Sequence, residues 1–517
     1  MFSALLPVFI LLGASQAWAA PCGTLNPPVT AAPKAGIESK AITVSWTNGP
    51  PAACTNSAGD HWDGTNKLRL RRAAGNIAPA NPTAGTQVAD MNLLAVSRDD
   101  FVGRSDKLYS YALFACEDAS CSSWYADGSG SLEDETNTEA SATTEAEVWV
   151  LTGVTGESDV TSVAIDDPSA NAPHIFFYPS DWGSGLSNKL AIYYSERADG
   201  GSPSEVLYTI HDDTGWPASN PLNDPASWAS TTLVAEGSND LADDDYKADH
   251  PWAMLTRDGS DKRVQLFVQS QGLANNKAIQ IESVDEVGDD FGLSCGGSSC
   301  STTMLDGAGY VAIDADGTAG TDWVVHLQHS RVGWNYISDA YIDSGTDQPF
   351  MMVKMGRPAA DECSDTGLYD DIGRADGAWD SGTSTWKWEV ETDGGSPDCP
   401  VVHIEDGHDN TMIPLPGGEF KLYYKDWSTE EWYVTYWNGA VWEDDALITF
   451  EWDGSSSGPD HDCIENPSAV VHVDGASINE AMAFRLLDSD NCPFGGTGLD
   501  DDPFVNDAAI VFAKLSN

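Results

Sequence analysis

The chain has 517 residues, with 81 acidic and only 25 basic side chains, which gives a formal net charge of −56. A surface of that sign repels nucleic acid and anionic membranes, so the composition excludes a nucleic-acid-binding protein. Two interpretations of the acidic runs remain open: a hydrated surface adapted to salt, or divalent cation binding at runs such as 243–245 and 500–502. A chain of this length is expected to contain at least two domains.

Residues 1–19 are predicted to form a secretory signal peptide. An apolar run from Ala4 to Leu12 precedes small residues, and Ala17-Trp18-Ala19 fits a small-x-small cleavage site. The run is too short for a membrane span, so we expect a secreted protein without membrane insertion. We also expect the protein to be a monomer. Ten cysteines in an exported chain favour disulfides. We expect sequence neighbours to pair: Cys22/Cys54, Cys116/Cys121, Cys295/Cys300, Cys363/Cys399 and Cys463/Cys492.

Residues 20–127 consist of short alternating strands separated by Pro, Gly and Asn. Examples are the strand that ends at Trp46 and the longer strand that contains Tyr109-Ser110-Tyr111. With the Cys116 to Cys121 spacing before Trp124, this region resembles a fibronectin type III domain. The resemblance implies a β-sandwich that acts as a spacer or adhesive appendage in an extracellular protein. Residues 128–147 are small, polar and acidic, which predicts a flexible linker.

From residue 148 to 517 the chain contains five copies of one unit, in which a strand leads through a tight turn to a second apolar strand. The paired strands are 162–165 with 174–178, 252–255 with 264–268, 310–313 with 323–327, 411–414 with 420–424, and 468–471 with 481–484. Asp258-Gly259 and Asp474-Gly475 are typical hairpin turns. Repeated antiparallel units of this kind predict an all-β chain whose second domain is a β-propeller with five blades. We expect the strand 508–512 to pair with 147–150 and close the ring.

In a propeller, residues just before each inner strand converge on one axis. The equivalent positions in the five units are Asp159, Asp249, Gly307, His408 and Glu465, and their neighbours include His250, Asp409, Asn410 and Asn466. Three interpretations remain open: carboxylates that serve as acid and base in glycoside cleavage, a site for a metal ion such as calcium, or hydrogen bonding that caps the axis. A polysaccharide lyase with His250 or His408 as base and Tyr310 as acid is a further alternative.

Three segments carry a family resemblance: Asp249-His250-Pro251-Trp252, Glu465-Asn466-Pro467-Ser468 and Leu422-Tyr423-Tyr424. They resemble the blades of five-bladed glycosidases of the arabinanase and xylosidase type. The resemblance implies that Asp159 or Asp249 is the base and Glu465 the acid, and that extracellular polysaccharide is the substrate. Trp252, Tyr310, Asp409, Asn410 and Asn466 are then expected to contact substrate, and no cofactor is required. A non-catalytic propeller that binds glycan or cations is the main alternative.

Two further patterns give weaker predictions. Asp314, Asp316 and Asp322 surround Gly317 like the oxygen ligands of a calcium loop, although they also fit a blade hairpin. An aromatic group near residues 427–442 could stack on sugar rings or pack between blades. Its members are Trp427, Trp432, Tyr433, Tyr436, Trp437 and Trp442.

Overall fold

A computed structural model gives the architecture of the protein. It describes residues 29–35, 39–46, 54–55, 61–62, 67–91, 95–116, 120–122, 124, 139–155, 163–165, 167, 169–196, 205–216, 222–236, 247–258, 261–271, 277–283, 285–289, 303–304, 324–333, 342–343, 348–356, 371–380, 385–391, 401–415, 419–426, 428–437, 441–443, 445–474, 477–487 and 508–515. The chain divides into two compact units, 1–145 and 146–516. Among the described residues, no helix is long and apolar enough to span a membrane.

The first unit is a β-sandwich. Its strands are β1 (Val29–Pro33), β2 (Ala41–Trp46), β3 (Cys54–Thr55), β4 (His61–Trp62), β5 (Leu68–Ala74), β6 (Thr86–Met91), β7 (Ser97–Phe101), β8 (Leu108–Ala115) and β9 (Glu139–Thr143). One sheet has the order β1-β2-β7 and the other β6-β5-β8-β9. A core that includes Trp46, Leu70 and Tyr111 fills the space between them. The predicted sandwich is therefore confirmed, whereas membership of the fibronectin type III family stays a prediction.

The predicted linker is wrong for residues 139–143. These residues form β9, which pairs with β8 from Leu108↔Thr143 to Ala112↔Glu139. Alternating small and polar residues read as linker in the sequence, but Ala142 is buried in the sandwich core. The boundary between the units lies at 145/146.

The second unit is a five-bladed propeller. It begins with β10 (Glu147–Leu151). Blade 1 consists of β11 (Ala170–Phe177), β12 (Leu190–Glu196), β13 (Glu205–Ile210) and β14 (Thr232–Glu236). Blade 2 consists of β15 (Lys247–Asp258), β16 (Asp261–Gln271), β17 (Lys277–Glu282) and β18 (Thr303–Met304). Blade 3 consists of β19 (Val324–Gly333), β21 (Phe350–Gly356), β22 (Asp371–Asp380) and β23 (Thr385–Val390); β20 (Ile342–Asp343) pairs with β15, and β24 (Val402–Ile404) pairs with β22.

Blade 4 consists of β25 (Gly407–Leu415), β26 (Glu419–Asp426), β27 (Trp432–Trp437) and β28 (Ala446–Trp452). Blade 5 consists of β29 (Ile464–Asp474), β30 (Ser477–Leu487), β31 (Ala508–Leu515) and, as its outermost strand, β10. Two short 3-10 helices, Pro225–Ser227 and His461–Cys463, precede β14 and β29. The predicted pairing of the C-terminal strand with the first propeller strand is confirmed by the register Trp149↔Leu515 to Leu151↔Ala513.

The inner strands β11, β15, β19, β25 and β29 each contact the inner strand of the next blade, and β29 contacts β11. This cycle closes the ring and confirms the predicted propeller. Apolar layers fill the spaces between consecutive blades, as between blades 4 and 5, where Trp432 and Val511 are fully buried. Among the described residues, β27 illustrates this packing, because Trp432 on one of its faces belongs to the cluster toward blade 5 and Tyr433 on the other packs against the cluster toward blade 3.

Three of the five predicted strand pairs are confirmed, namely those of blades 2, 4 and 5. The first predicted pair is wrong, because the segment 170–177 pairs with β12 and is itself the inner strand. Ile165 instead forms a bridge with Ile510. In the third copy, residues 310–313 lie outside the described residues, and the inner strand β19 pairs with β21.

Three cysteines have described side chains and bear on the disulfide prediction. Cys116 and Cys121 form a disulfide with a Cα–Cα separation of 4.8 Å, as predicted. Cys463 is also disulfide-bonded, and its predicted partner Cys492 lies outside the described residues. No free cysteine occurs among the cysteines that the structure describes.

Candidate functional site at the propeller axis

Each inner strand carries an irregularity close to its start. The register shifts lie at 171/174, 249/252, 326/331, 407/410 and 465/468. A bulge bends a strand and redirects side chains. In blades 1, 2, 4 and 5 the shift spans three residues of the inner strand, whereas in blade 3 it spans five, from His326 to Arg331. In three of them the third residue is proline: Pro173, Pro251 and Pro467. Proline has no backbone N–H to donate to the hydrogen-bond ladder, so within a sheet it is tolerated at places such as bulges, where the ladder is interrupted.

Two of the bulges contain unusual backbone angles. Ala172 has a φ of 45° and Asn466 a φ of 51°, and both occupy the second position of their bulge. Asparagine enters this left-handed region more readily than other residues with a side chain. A proline in the third position of the bulge is common to three inner strands, and it could have identified the first of them at Asn171-Ala172-Pro173-His174. Sequence reasoning missed this strand.

Polar side chains at the bulges join neighbouring blades. The backbone N–H of Asn466 donates to Asp409 Oδ2 (3.0 Å), and Asn466 Nδ2 donates to Asn171 Oδ1 (3.0 Å). These contacts run from blade 4 through blade 5 to blade 1. Asp409, Asn466 and Asn171 are all buried, so the hydrogen bonds lie in a medium where they are stronger than in water.

One step farther along the strands, a second set of bonds follows the same direction around the ring. Thr411 Oγ1 accepts from the N–H of Ala469 (2.8 Å), and Ser468 Oγ accepts from the N–H of Ile175 (3.0 Å). His174 Nε2 lies 2.9 Å from the carbonyl oxygen of Ala253 on blade 2, to which it donates. The described part of the axis is thus a hydrogen-bonded polar layer.

Two amide atoms in this layer make no hydrogen bond within the described part of the chain: Asn171 Nδ2 and Asn466 Oδ1. Buried polar atoms are nearly always paired, so both need a polar partner. A water molecule or a ligand hydroxyl on the axis would supply it.

We expect replacement of Asn466 with alanine to lower the free energy of unfolding by about 2 kcal/mol. The variant loses the bond to Asn171 and places alanine in the left-handed region, each costing about 1 kcal/mol. Urea unfolding followed by circular dichroism measures the loss. Asn188→Ala is the control, because Asn188 has a similar φ of 58° and lies on blade 1, between β11 and β12. Equal losses in the two variants would contradict a contribution from the Asn466 side chain.

Glu465 is the described member of the predicted catalytic set. It begins the bulge of blade 5, and its side chain is 36% exposed. Its Oε2 accepts a hydrogen bond from Arg485 Nη1 (3.2 Å), the residue opposite it on β30. The guanidinium favours the ionised carboxylate, which suits a base or a group that stabilises positive charge. Arg485 is a functional candidate that sequence reasoning missed.

The other predicted catalytic residues are described only in part or not at all. Asp249 and His250 lie in β15 and His408 lies in β25, all within the bulge segments. Their side chains lie outside the described part of the chain, as do the residues Asp159, Tyr310, Asp314, Asp316 and Asp322. Among the described residues, no group of three His, Cys, Asp or Glu could hold a metal ion.

The remaining predicted substrate contacts are buried. Trp252 is 1% exposed and packs between blades 2 and 3, with ring centroids 4.5 Å from Phe267 and 5.5 Å from Trp388. It is a core residue, and its predicted contact with substrate stays a prediction. Asp409, Asn410 and Asn466 are at most 6% exposed. They lie on the inner strands beneath the surface, where Asp409 accepts from the N–H of Asn466 and Asn466 donates to Asn171 on the next blade.

The chain matches no known family description and no curated protein sequence. It is similar to solved structures at low identity. The α-L-arabinofuranosidase from Podospora anserina is 11% identical, over 72% of this chain and 97% of that chain, with a TM-score of 0.37. A family 117 glycoside hydrolase from the marine bacterium Zobellia galactanivorans is 10% identical, over 72% and 91%, with a TM-score of 0.39.

An exo-β-1,3-galactanase from Clostridium thermocellum is 10% identical, over 70% of this chain and 62% of that chain, with a TM-score of 0.38. Similarity at this level carries no argument about activity. The class of the protein, a sandwich unit joined to a five-bladed propeller, follows from its own strand order.

Proposed function

We propose that the protein is a secreted glycoside hydrolase that cleaves polysaccharide at the axial end where the inner strands begin. The observation that carries the proposal is Glu465, a partly exposed carboxylate at the blade 5 bulge that is held by Arg485. Asp249 shares its register on blade 2, on the other side of blade 1. Two carboxylates on separate walls of one site suit glycoside cleavage, in which one protonates the leaving oxygen and the other acts as base or nucleophile.

The contact with Arg485 bears on the roles of the two carboxylates. The family resemblance implies that Glu465 is the acid, but a neighbouring guanidinium opposes protonation of this carboxyl. We therefore assign Glu465 to the base or charge-stabilising role and Asp249 or a bulge histidine to proton donation. His250 and His408 occupy bulge segments on blades 2 and 4.

The net charge limits which class of polysaccharide can be the substrate. A chain of net charge −56 repels polymers of acidic sugars. This disfavours a uronate lyase with His250 or His408 as base and Tyr310 as acid, because such an enzyme needs an anionic substrate. It favours a neutral polysaccharide. The signal-like N-terminus and the disulfides support an extracellular location.

A non-catalytic glycan-binding propeller is the second candidate. It is favoured by the burial and mutual hydrogen bonding of Asp409, Asn466 and Asn171, which describe a closed polar layer. Under this alternative, Glu465 and Arg485 contact a glycan without cleaving it.

We expect Glu465→Gln to lower kcat at least about a hundredfold, as is typical for loss of a positioned acid–base group. The assay incubates the full chain with arabinoxylan, linear arabinan and a neutral galactan and measures new reducing ends. Glu282→Gln is the control, because Glu282 lies on β17, away from the inner strand, is 43% exposed and pairs with Arg263 on β16. Full activity of Glu465→Gln would refute the assignment. Binding without new ends in the wild type would favour the second candidate.

A further inference from the structure

The outer part of blade 4 carries a row of partly exposed aromatic side chains that the axial site does not use. Tyr433 and Trp437 lie on one face of β27, and Trp442 forms a bridge with Trp437. We call these three residues the outer aromatic ridge. The opposite face of β27 is different, because Trp432 and Tyr436 are fully buried against blade 5. The predicted aromatic group is therefore split into a packing half and a partly exposed half.

The ridge has one side on the protein core and one side open. All three residues pack against the apolar cluster between blades 3 and 4, which includes Phe350 and Phe420. Each of them nevertheless remains partly exposed. Val441, next to Trp442, is 58% exposed. From Tyr433 to Trp437 the strand extends about 13 Å, which is longer than one sugar ring.

The orientation of Trp442 is held by a relay of hydrogen bonds. Trp442 Nε1 donates to His403 Nδ1 (3.2 Å), and His403 Nε2 lies 2.9 Å from Glu391 Oε2. An indole nitrogen can only donate a hydrogen bond, so His403 Nδ1 is the acceptor. His403 Nε2 therefore carries the ring hydrogen and donates a hydrogen bond to Glu391. The Trp437 and Trp442 rings meet at 53° with centroids 5.4 Å apart. The relay holds the Trp442 ring from its edge.

Exposed polar groups flank the ridge. The side chain of Glu391 is 43% exposed, and Asp445 is exposed beside Tyr424, whose hydroxyl donates to it (2.7 Å). Carboxylates accept hydrogen bonds from sugar hydroxyls, whereas aromatic faces contact the apolar C–H side of a sugar ring. Both carboxylates, together with the net charge of −56, disfavour an anionic ligand.

We propose that the outer aromatic ridge is a second binding site, for a neutral polysaccharide chain, separate from the axial site. The ligand class rests on the proposed function, since an enzyme acting on a polymer gains from holding it at a second place. Two sites on one body raise the effective concentration of the chain at the axis.

Affinity gel electrophoresis of the full chain tests this proposal, with arabinoxylan, linear arabinan or a neutral galactan cast into the gel. We expect Trp437→Ala and Trp442→Ala to weaken retention by the bound polysaccharide at least about tenfold in Kd. Trp442→Phe keeps a ring but loses the bond to His403, so we expect an intermediate loss. Trp379→Ala is the control, because Trp379 is partly exposed and contacts another tryptophan, Trp386, on blade 3. Near-ultraviolet circular dichroism checks that each variant is folded.

Wild-type retention in both ridge variants would overturn the proposal, and so would a wild-type chain that none of the three polysaccharides retains. The proposed hydrolase activity and the proposed ridge site can be refuted independently of each other. Retention that depends on the ridge, without new reducing ends, would refute cleavage and leave the ridge in place. Cleavage without retention that depends on the ridge would refute the ridge alone.

Discussion

Replacement of Lys421 with methionine is expected to lower the free energy of unfolding of the propeller by about 3–5 kcal/mol, the usual cost of leaving a buried charge without its partner. Lys421 Nζ lies 2.5 Å from Glu147 Oε1 and 3.0 Å from Glu480 Oε2. All three side chains are at most 1% exposed. Methionine has a similar length but leaves two carboxylates buried side by side.

These three residues join the elements that close the ring. Glu147 is the first residue of β10, Lys421 lies on β26 of blade 4, and Glu480 lies on β30 of blade 5. Tyr423 donates to Glu147 Oε2 (2.8 Å) and Tyr436 donates to Glu147 Oε1 (3.2 Å). The ionic cluster therefore anchors the N-terminal strand of the propeller to the last two blades.

In the wild type, the contribution of the Lys421 charge to stability should not vary between about pH 6 and 9. Burial by itself lowers the pKa of Lys421, but the carboxylates of Glu147 and Glu480 more than compensate and raise it above its usual value. A raised lysine pKa contributes stability that is complete below the unfolded value of about 10.4 and is lost only as the pH rises through the folded value.

Urea unfolding at several pH values measures this loss. Lys425→Met is the matched control on the same strand, because Lys425 pairs with Glu430, whose side chain is 44% exposed, and such a pair contributes about 1 kcal/mol or less. Adding Glu480→Gln to Lys421→Met should recover part of the loss, since one buried charge is removed. A Lys421→Met variant as stable as Lys425→Met would show that the cluster does not hold the ring.

A hairpin could be predicted from the sequence where a turn dipeptide lies between two strands rich in apolar residues, as around Asp258. Blade 1 could not, because its inner strand contains Pro173 and begins with a bulge, so 170–177 reads as a second strand following a turn. The burial of Lys421 was also not evident. A lysine between Phe420 and Leu422 looks like a solvent-facing position, but blade 5 covers that face.

The candidate site was predictable only as a set of positions. Counting back from inner strands identified Asp249, His408 and Glu465, all of which lie in bulge segments. The solvent exposure of the side chains at these positions could not be predicted by counting, because the bulge determines which side chain turns inward. Arg485 was missed because its proximity to Glu465 depends on the register of β29 against β30, which is set by the bulge.

Alkaline pH is expected to unfold the propeller at about pH 11 because of its buried tyrosines. Burial raises the pKa of six of them above the usual value of about 10: Tyr178, Tyr193, Tyr194, Tyr208, Tyr423 and Tyr424. None is more than 4% exposed. Above pH 10 the unfolded chain releases these protons while the folded chain keeps them, so stability falls as the pH rises.

The size of the effect follows from proton linkage. Each such tyrosine lowers the free energy of unfolding by about 1.4 kcal/mol per pH unit above 10. Six together reach about 8 kcal/mol per pH unit, which is comparable to the whole stability of a typical domain. The chain has 16 tyrosines, so only the part of the tyrosinate absorbance that these six buried residues supply should change together with the far-ultraviolet circular dichroism, in one transition. Tyr208→Phe should make the transition less steep by one proton, whereas ionisation of all 16 tyrosines near pH 10 in a chain that stays folded would mean that hydroxide reaches these phenols and that the layers between the blades are not closed.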